Sequence, residues 1–278
     1  MPAQIILKTR TKQPLLATRI NWANPITRGL VHASVPGVFR GKSPNLASTN
    51  FSTLYGSASP LTTSRGVGAN ISGVASSRVS YQSPVTSGNM TLFCVAKLTA
   101  TGAACFLGVF NFGNAVAVGN YLSIEAGPVY GAVSTDSANW QIASGRAPVA
   151  GETVAIAGSF TASGGRTIYI NGVAGNTNAT ARNPSGLNEI NEGCYYGGTG
   201  AGYVSPLTGS VVLSLVFNRV LSAAEHKSLT ENPWQVFAPE TIPLFWTGIT
   251  AQFLRPISDV SNSGWTPSSG SDLFPMIG

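Results

Sequence analysis

Residues 207–237 read LTGSVVLSLVFNRVLSAAEHKSLTENPWQVF. Val211, Leu213, Leu215 and Phe217 alternate with Val212, Ser214, Val216 and Asn218. A period of two predicts a strand with one wholly apolar face and one mixed face. Asn218-Arg219 ends the run. Ser222 is a good helix N-cap, and Glu225 follows three residues later, where a capping box places its carboxylate. Ala223, Ala224 and Leu229 suit a helix, and Pro233 limits it. A long buried strand feeding a two-turn helix is the closing move of a β-sandwich.

The composition agrees. The 278-residue chain is 43% hydrophobic but only 9% charged, against about a quarter in ordinary soluble domains. Gly, Ser, Thr, Asn and Ala replace the missing charge. Helices of soluble proteins lean on Glu, Lys and Arg, so this composition predicts many short strands joined by small-residue turns. A surface so poor in charge also fits one covered by neighbouring subunits, in a homo-oligomer or a larger assembly. The length holds one large β domain with appendages, or two small domains.

Residues 90–98 (MTLFCVAKL), 105–112 and 121–126 read as buried strands, and 129–134 and 140–143 follow at the spacing of an antiparallel meander. Residues 153–160 and 166–170 alternate across a Gly164-Gly165 turn. Asn171-Gly172 then signals a type I′ hairpin, because both residues tolerate positive φ. Residues 174–188 read as a polar loop and 192–198 (EGCYYGG) as a further strand. Between residues 34 and 89, loops and brief edge strands are expected around Thr53-Leu54-Tyr55 and Val79-Ser80-Tyr81, and residues 4–7 suit a short strand.

Gly209, the alternating run and Phe217-Asn218-Arg219-Val220-Leu221-Ser222-Ala223-Ala224-Glu225 resemble the last strand and helix of laminin-G/concanavalin-A-like jelly rolls. Trp22 to Gly29 leading into Leu30-Val31-His32-Ala33 is similar to the first core strand of that family. Tyr169-Ile170-Asn171-Gly172 is similar to the turn that ends its central hairpin, although Glu152-Thr153 stands where a Trp usually opens it. Glu231-Asn232-Pro233-Trp234-Gln235-Val236-Phe237-Ala238-Pro239 and the run Gly264 to Leu273 resemble phrases of tailed-bacteriophage and prophage structural proteins. The resemblance implies an all-β, antiparallel two-sheet jelly-roll sandwich with one short C-terminal helix and extended terminal arms. The expected division is a basic N-terminal arm at 1–20, the sandwich at 21–239 and an aromatic, proline-rich arm at 240–278.

Charge is unevenly placed. No Asp or Glu precedes Glu125, while residues 1–100 hold ten Lys and Arg. Lys8, Arg10, Lys12 and Arg19 form either a docking arm for an acidic partner or a set of solubilising cations. No aromatic stacking platform accompanies them, which argues against nucleic acid as a partner. Trp246, Phe253, Trp265 and Phe274 lie among Pro243, Pro256, Pro267 and Pro275, the pattern of an extended arm that lays aromatics into a groove. Cys94, Cys105 and Cys194 form no CxxC pair and are expected as buried thiols. Residues 1–16 are broken by Lys8, Arg10, Lys12 and Pro14, so no secretory signal is read, and no apolar run is long enough to span a membrane. These features fit a protein made in a bacterial cytoplasm and carried in a virion.

Glycoside hydrolases built on this fold need two carboxylates flanking the sugar. The chain has no Glu-x-Asp-x-x-Glu run, and Glu189 and Glu192 read as loop-edge charges, so no enzyme and no cofactor are expected. Asp136, Asn139, Asn188, Glu189 and Asn191 are calcium candidates by type, without EF-hand spacing. His226 reads as a surface helix residue and His32 as a filler of a sheet's outer face. A lectin-like face needs aromatics that stack on sugar rings and amides that read hydroxyls. Trp140, Tyr195, Tyr196 and Tyr130, with Asn139 and Gln141, are the candidates, and core or subunit packing is the competing reading of the same aromatics. The functional expectation is a phage virion structural protein, in capsid decoration or the tail and fibre apparatus, partnered by other virion proteins. The alternative is a carbohydrate-binding adhesion module for a host surface glycan.

Overall fold

Thr208–Phe217 is a ten-residue strand at the centre of an eight-stranded antiparallel sheet. One side pairs along Met90–Leu98. The other side is shared: residues 208–211 pair with Gly66–Ser72, and residues 214–217 with Leu30–Ser34. The sheet runs in the order Val173–Asn178, Arg166–Ile170, Thr153–Phe160, Met90–Leu98, Thr208–Phe217, Gly66–Ser72 and Ser59–Thr63. The facing sheet has seven strands: Asn139–Ser144, Val129–Asp136, Val118–Glu125, Ala104–Phe110, Glu189–Glu192, Arg78–Gln82 and Thr53–Tyr55. The result is the all-β two-sheet sandwich with a short C-terminal helix that the sequence predicts. This computed structural model describes residues 4–6, 12–14, 19–37, 43–48, 52–55, 59–72, 77–125, 127–136, 139–238 and 241–243.

Three apolar clusters hold these layers. The largest lies between the sheets, where Leu92, Cys94, Ile156 and Val216 meet Leu107, Val109, Leu122 and Ile190. The second covers the outer face of the eight-stranded sheet. There Leu213, Leu215 and Phe217 pack with Leu221, Leu229, Trp234 and Phe237 from the C-terminal segment and with Ile20, Ile26 and Leu30. The predicted alternation is broken once. A bulge between Val211 and Leu213 sends Val211 to the inter-sheet core and joins Val212 to Leu213 on the outer face, because an extra residue shifts the side-chain parity of a strand. Gly209 approaches the neighbouring strand so closely that a Cβ there would lie 2.1 Å from the Lys97 carbonyl oxygen.

The helix Ala223–Glu231 begins on the predicted capping box. The Glu225 amide donates to Ser222 Oγ at 3.3 Å, and the Ser222 amide donates to Glu225 Oε2 at 2.8 Å. The Arg219 guanidinium grips the same carboxylate through two bonds of 3.0 and 2.6 Å, and these bonds draw the Glu225 carboxyl down to about 2. Asn171 and Gly172 have φ of 50° and 79°, as a type I′ turn requires.

Several local expectations are corrected. Within residues 174–188, positions up to Asn178 belong to an edge strand, Val173–Asn178, which pairs with Arg166–Ile170 despite its polar sequence. Residues 192–198 do not form one strand, because Gly193 at φ 81° separates Glu189–Glu192 from Tyr195–Tyr196. Arg78–Gln82 lies inside its sheet, with partners on both sides. His226 is fully buried: Nε2 lies 2.9 Å from Ser159 Oγ, and the ring stacks on Tyr169 at 3.8 Å. His32 faces the other sheet rather than the outside, with Nε2 3.2 Å from Glu192 Oε1. Cys94, Cys105 and Cys194 are buried free thiols, and burial pushes each of them up.

The described residues from 12 to 238 form one compact unit, and residues 4–6 with 241–243 belong to a second. In the second, Gln4–Ile6 pairs antiparallel with Thr241–Pro243. Lys12 and Arg19 are exposed, whereas Gln13 turns its side-chain amide onto the Val67 backbone. Lys8, Arg10, Trp246, Phe253, Trp265 and Phe274 lie outside the described residues. No described helix is long and apolar enough to cross a membrane.

Candidate functional site

The outer face of the seven-stranded sheet differs between its two halves. Strand parity puts Gly108, Phe110, Tyr121, Val133 and Trp140 on that face at one end, and Ser80, Gln82, Glu189 and Asn191 at the other. The two-stranded ribbon of Tyr195–Tyr196 and Tyr203–Val204 covers the first half. Tyr195 packs on Tyr121 at 4.8 Å and on Phe110 at 5.5 Å, in the third apolar cluster. The second half stays open as a groove of about 450 Å³, whose lining includes Thr53, Ser80, Gln82, Phe112, Asn188 and Glu189.

Phe112 stands at the rim. The sequence reading placed it in a strand, but Ala104–Phe110 ends two residues earlier and the chain turns through Gly113 at φ 94°. The turn leaves Phe112 49% exposed. Asn188 fixes its backbone: the Phe112 amide donates to Asn188 Oδ1 at 2.7 Å, and Asn188 Nδ2 donates to the Phe112 carbonyl at 3.2 Å. The ring lies 5.2 Å from Tyr196 and stacks on Tyr203 at 6.3 Å, with 21° between planes. Tyr203 donates its hydroxyl to Glu189 Oε1 at 2.8 Å, and the Arg78 guanidinium lies 3.3 Å from the centre of the Tyr203 ring. Burial, with the bond to Glu189, raises the Tyr203 hydroxyl well above its ordinary value, so it stays a donor. The groove thus joins an exposed aromatic ring to a fixed amide, a carboxylate held by a phenol, and the exposed amide of Gln82.

The sequence candidates are distributed differently. Trp140 is 44% exposed and Asn139 is exposed, but their strand lies four strands from Glu189, roughly 19 Å at ordinary strand spacing. Tyr195 and Tyr196 are only 5% and 3% exposed and offer no free face for stacking. Tyr195 instead packs against Trp140 at 5.6 Å, away from the groove, and Tyr196 backs Phe112 at its rim. Tyr130 is fully buried.

The calcium candidates do not converge. Asp136 pairs with Arg182 at 2.5 Å, Asn188 holds Phe112, and Glu189 holds Tyr203. Three strand spacings separate Asp136 from Asn188, about 14 Å, and among the described residues no group of three His, Cys, Asp or Glu is placed to hold a metal. Nor do the acids pair: Glu125 lies opposite Val129 and Asp136 opposite Val118, at opposite ends of one hairpin. Glu189 and Glu192 point to opposite faces of their strand, Glu192 into the core. Sequence reasoning missed Phe112 and Gln82. The signal for Phe112 was the Asn111-Phe112-Gly113-Asn114 turn at the end of a strand.

A family model described as the concanavalin A-like lectin/glucanases superfamily matches residues 73–225. Among solved structures, the binding domain of Paraclostridial Mosquitocidal Protein 1 is similar at a TM-score of 0.55 and 12% identity, covering 74% of this chain and 52% of that one. Domain 4 of AbnA, a GH43 extracellular arabinanase from Geobacillus stearothermophilus in complex with arabinotriose, gives 0.54 at 15% identity, covering 72% and 98%. The botulinum neurotoxin serotype G binding domain gives 0.52 at 12%, covering 72% and 50%. The matched region therefore spans about half of the mosquitocidal and neurotoxin structures. At these identities the likeness shows the fold alone. No curated protein matches the sequence.

Proposed function

Because the chain belongs to the concanavalin A-like lectin/glucanases superfamily, we propose that it is a carbohydrate-binding protein that seats a glycan in the Phe112 groove. The observation that carries this reading is the half-exposed Phe112 ring beside Asn188, Glu189 and Gln82. An aromatic ring takes the apolar C–H face of a sugar, while amides and a carboxylate read its hydroxyls. The arabinotriose held by the similarly folded arabinanase domain supports the same reading.

Binding without hydrolysis is part of the proposal. Among the described residues Glu189 is the one carboxylate in the groove lining, and glycoside cleavage ordinarily takes two. Phe112→Ala is expected to weaken polysaccharide binding at least tenfold while leaving the thermal midpoint unchanged, since the ring makes its contacts at the surface. Affinity electrophoresis on polysaccharide gels, with a melting curve for each variant, checks this. Unchanged retention of Phe112→Ala overturns the assignment of the groove.

The setting we propose is a bacteriophage virion, where the module is a structural component among other virion proteins and copies of itself. Support comes from the phrases at residues 231–239 and 264–273 and from the 9% charged content. Mass spectrometry of purified particles is the test: the protein is expected in stoichiometric amount, and its absence removes the virion setting while leaving the glycan site standing.

A further inference from the structure

We infer that the ligand is an extended run of sugars, not a single residue, and that Trp140 is a second stacking platform for the chain that Phe112 seats. The inference rests on the reading of the Phe112 groove as a glycan site and names the form of glycan it takes. Trp140 is 44% exposed and Phe112 49%. Strand register links their places. Trp140 lies opposite Thr135, Thr135 opposite Gly119, and Gly119 opposite Phe110. One straight row thus crosses the sheet from Trp140 to the strand that ends two residues before Phe112. The row covers three strand spacings, about 14 Å. One sugar ring does not reach across that distance, and a chain of sugars does.

Apolar side chains scattered singly are ordinary on a protein surface, but these two rings share a support. Consecutive residues of the ribbon brace them, Tyr195 on Trp140 at 5.6 Å and Tyr196 on Phe112 at 5.2 Å. The loop 111–117 reaches towards both. At its start, Phe112 is bonded through its backbone to Asn188. At its end, the Ala117 carbonyl accepts from Thr135 Oγ1 at 3.5 Å, and Thr135 is the partner of Trp140 in the row. Its middle is pinned at Asn114: the Val116 amide donates to Asn114 Oδ1 at 3.3 Å, and the Thr199 amide donates to the Asn114 carbonyl at 2.9 Å. Asn139 gives the Trp140 end an exposed amide, as Gln82 does at the Phe112 end. Each end therefore offers a ring for the C–H face of a sugar and an amide for its hydroxyls. Two platforms held at a fixed spacing act as linked sites: once one end of a chain is seated, the other binds at a high effective concentration.

The experiment uses the full chain and titration calorimetry. The probes are linear arabino-oligosaccharides and isomalto-oligosaccharides, each from the disaccharide to the hexasaccharide. In a series that binds, the wild type is expected to hold the hexasaccharide at least tenfold more tightly than the disaccharide. Trp140→Ala is expected to remove that gain while leaving the disaccharide affinity unchanged, because the short ligand seated on Phe112 does not reach Trp140. Trp140→Phe keeps a ring and should keep most of the gain. The length dependence of the wild type needs no variant to fold, and melting curves establish which variants do. A hexasaccharide bound no more tightly than the disaccharide overturns the inference, as does an undiminished gain in folded Trp140→Ala. In both cases weaker binding by Phe112→Ala leaves the groove a glycan site. Binding of neither series, or binding that Phe112→Ala does not weaken, overturns the glycan reading and this inference together.

Discussion

Replacing His32 by Ala is expected to destabilise the sandwich by about 1–3 kcal/mol, the usual cost of leaving a buried polar group without its hydrogen-bond partner. His32 Nε2 and Glu192 Oε1 are 3.2 Å apart, and both side chains are fully buried between the sheets. Around them, Tyr81 sets its ring edge-on to the imidazole at 4.5 Å and shares a 2.6 Å hydrogen bond with Ser34. Glu192 Oε2 and His32 Nδ1 have no hydrogen-bond partner among the described residues. His32→Ala therefore leaves the Glu192 carboxyl group in the core without the one side-chain partner it has among the described residues. A domain has roughly 5–15 kcal/mol in total, so the variant should unfold at a much lower urea concentration. The double variant His32→Leu with Glu192→Met removes both ionisable groups, and most of the loss should return. Urea unfolding of the three proteins decides it: a single-variant loss under 1 kcal/mol, or no recovery in the double variant, contradicts the pairing.

Acid should loosen the C-terminal helix before it touches the rest of the fold. Burial drives the His226 imidazole down to about 4, against an ordinary 6.5, with the neighbouring Glu225 charge opposing that shift. The groups packed on the ring are Ser159 and Tyr169 from the sheet beneath, and neither is anionic. Between pH 6.5 and 4 the unfolded chain therefore binds a proton that the folded chain refuses. Stability is complete above 6.5 and falls as pH drops towards 4, by roughly 3 kcal/mol for a shift of this size. Glu225 acts in a lower window: its carboxyl is held at about 2 from an ordinary 4.5, so its contribution is lost only as pH falls below 4.5. Glu125, whose carboxyl is raised by burial, acts in the same window with the opposite sign, so the His226 contribution is the part of the fall in melting temperature between pH 7 and 4.5 that His226→Gln removes. An equal fall in the variant contradicts the assignment.

Much of the fold was legible because it rests on local patterns. Met90–Leu98, Thr153–Phe160 and Arg166–Ile170 have the predicted bounds, since each is a β-rich run bounded by turn residues. The Ser222–Glu225 box and the Asn171-Gly172 turn are likewise decided within four residues. What was hidden depends on distant partners. Val173–Asn178 is polar because it is an exposed edge, and only its pairing with Arg166–Ile170 makes it a strand. His32 meets Glu192 across 160 positions, a distance no periodicity reports. The aromatic pair Tyr195–Tyr196 showed the right chemistry for a sugar face, but nothing in the sequence told that the ribbon folds back and buries it. Phe112 carried the opposite disguise, an apolar residue at the end of an apolar run that a single turn exposes.

Binding of polysaccharide by the wild-type chain and by Phe112→Ala, measured side by side by titration calorimetry with one neutral polymer that the wild type retains on affinity gels, tests the central claim most directly. The account predicts saturable binding by the wild type and at least a tenfold weaker interaction in a variant with an unchanged melting curve. Equal affinity of the two folded proteins would contradict it.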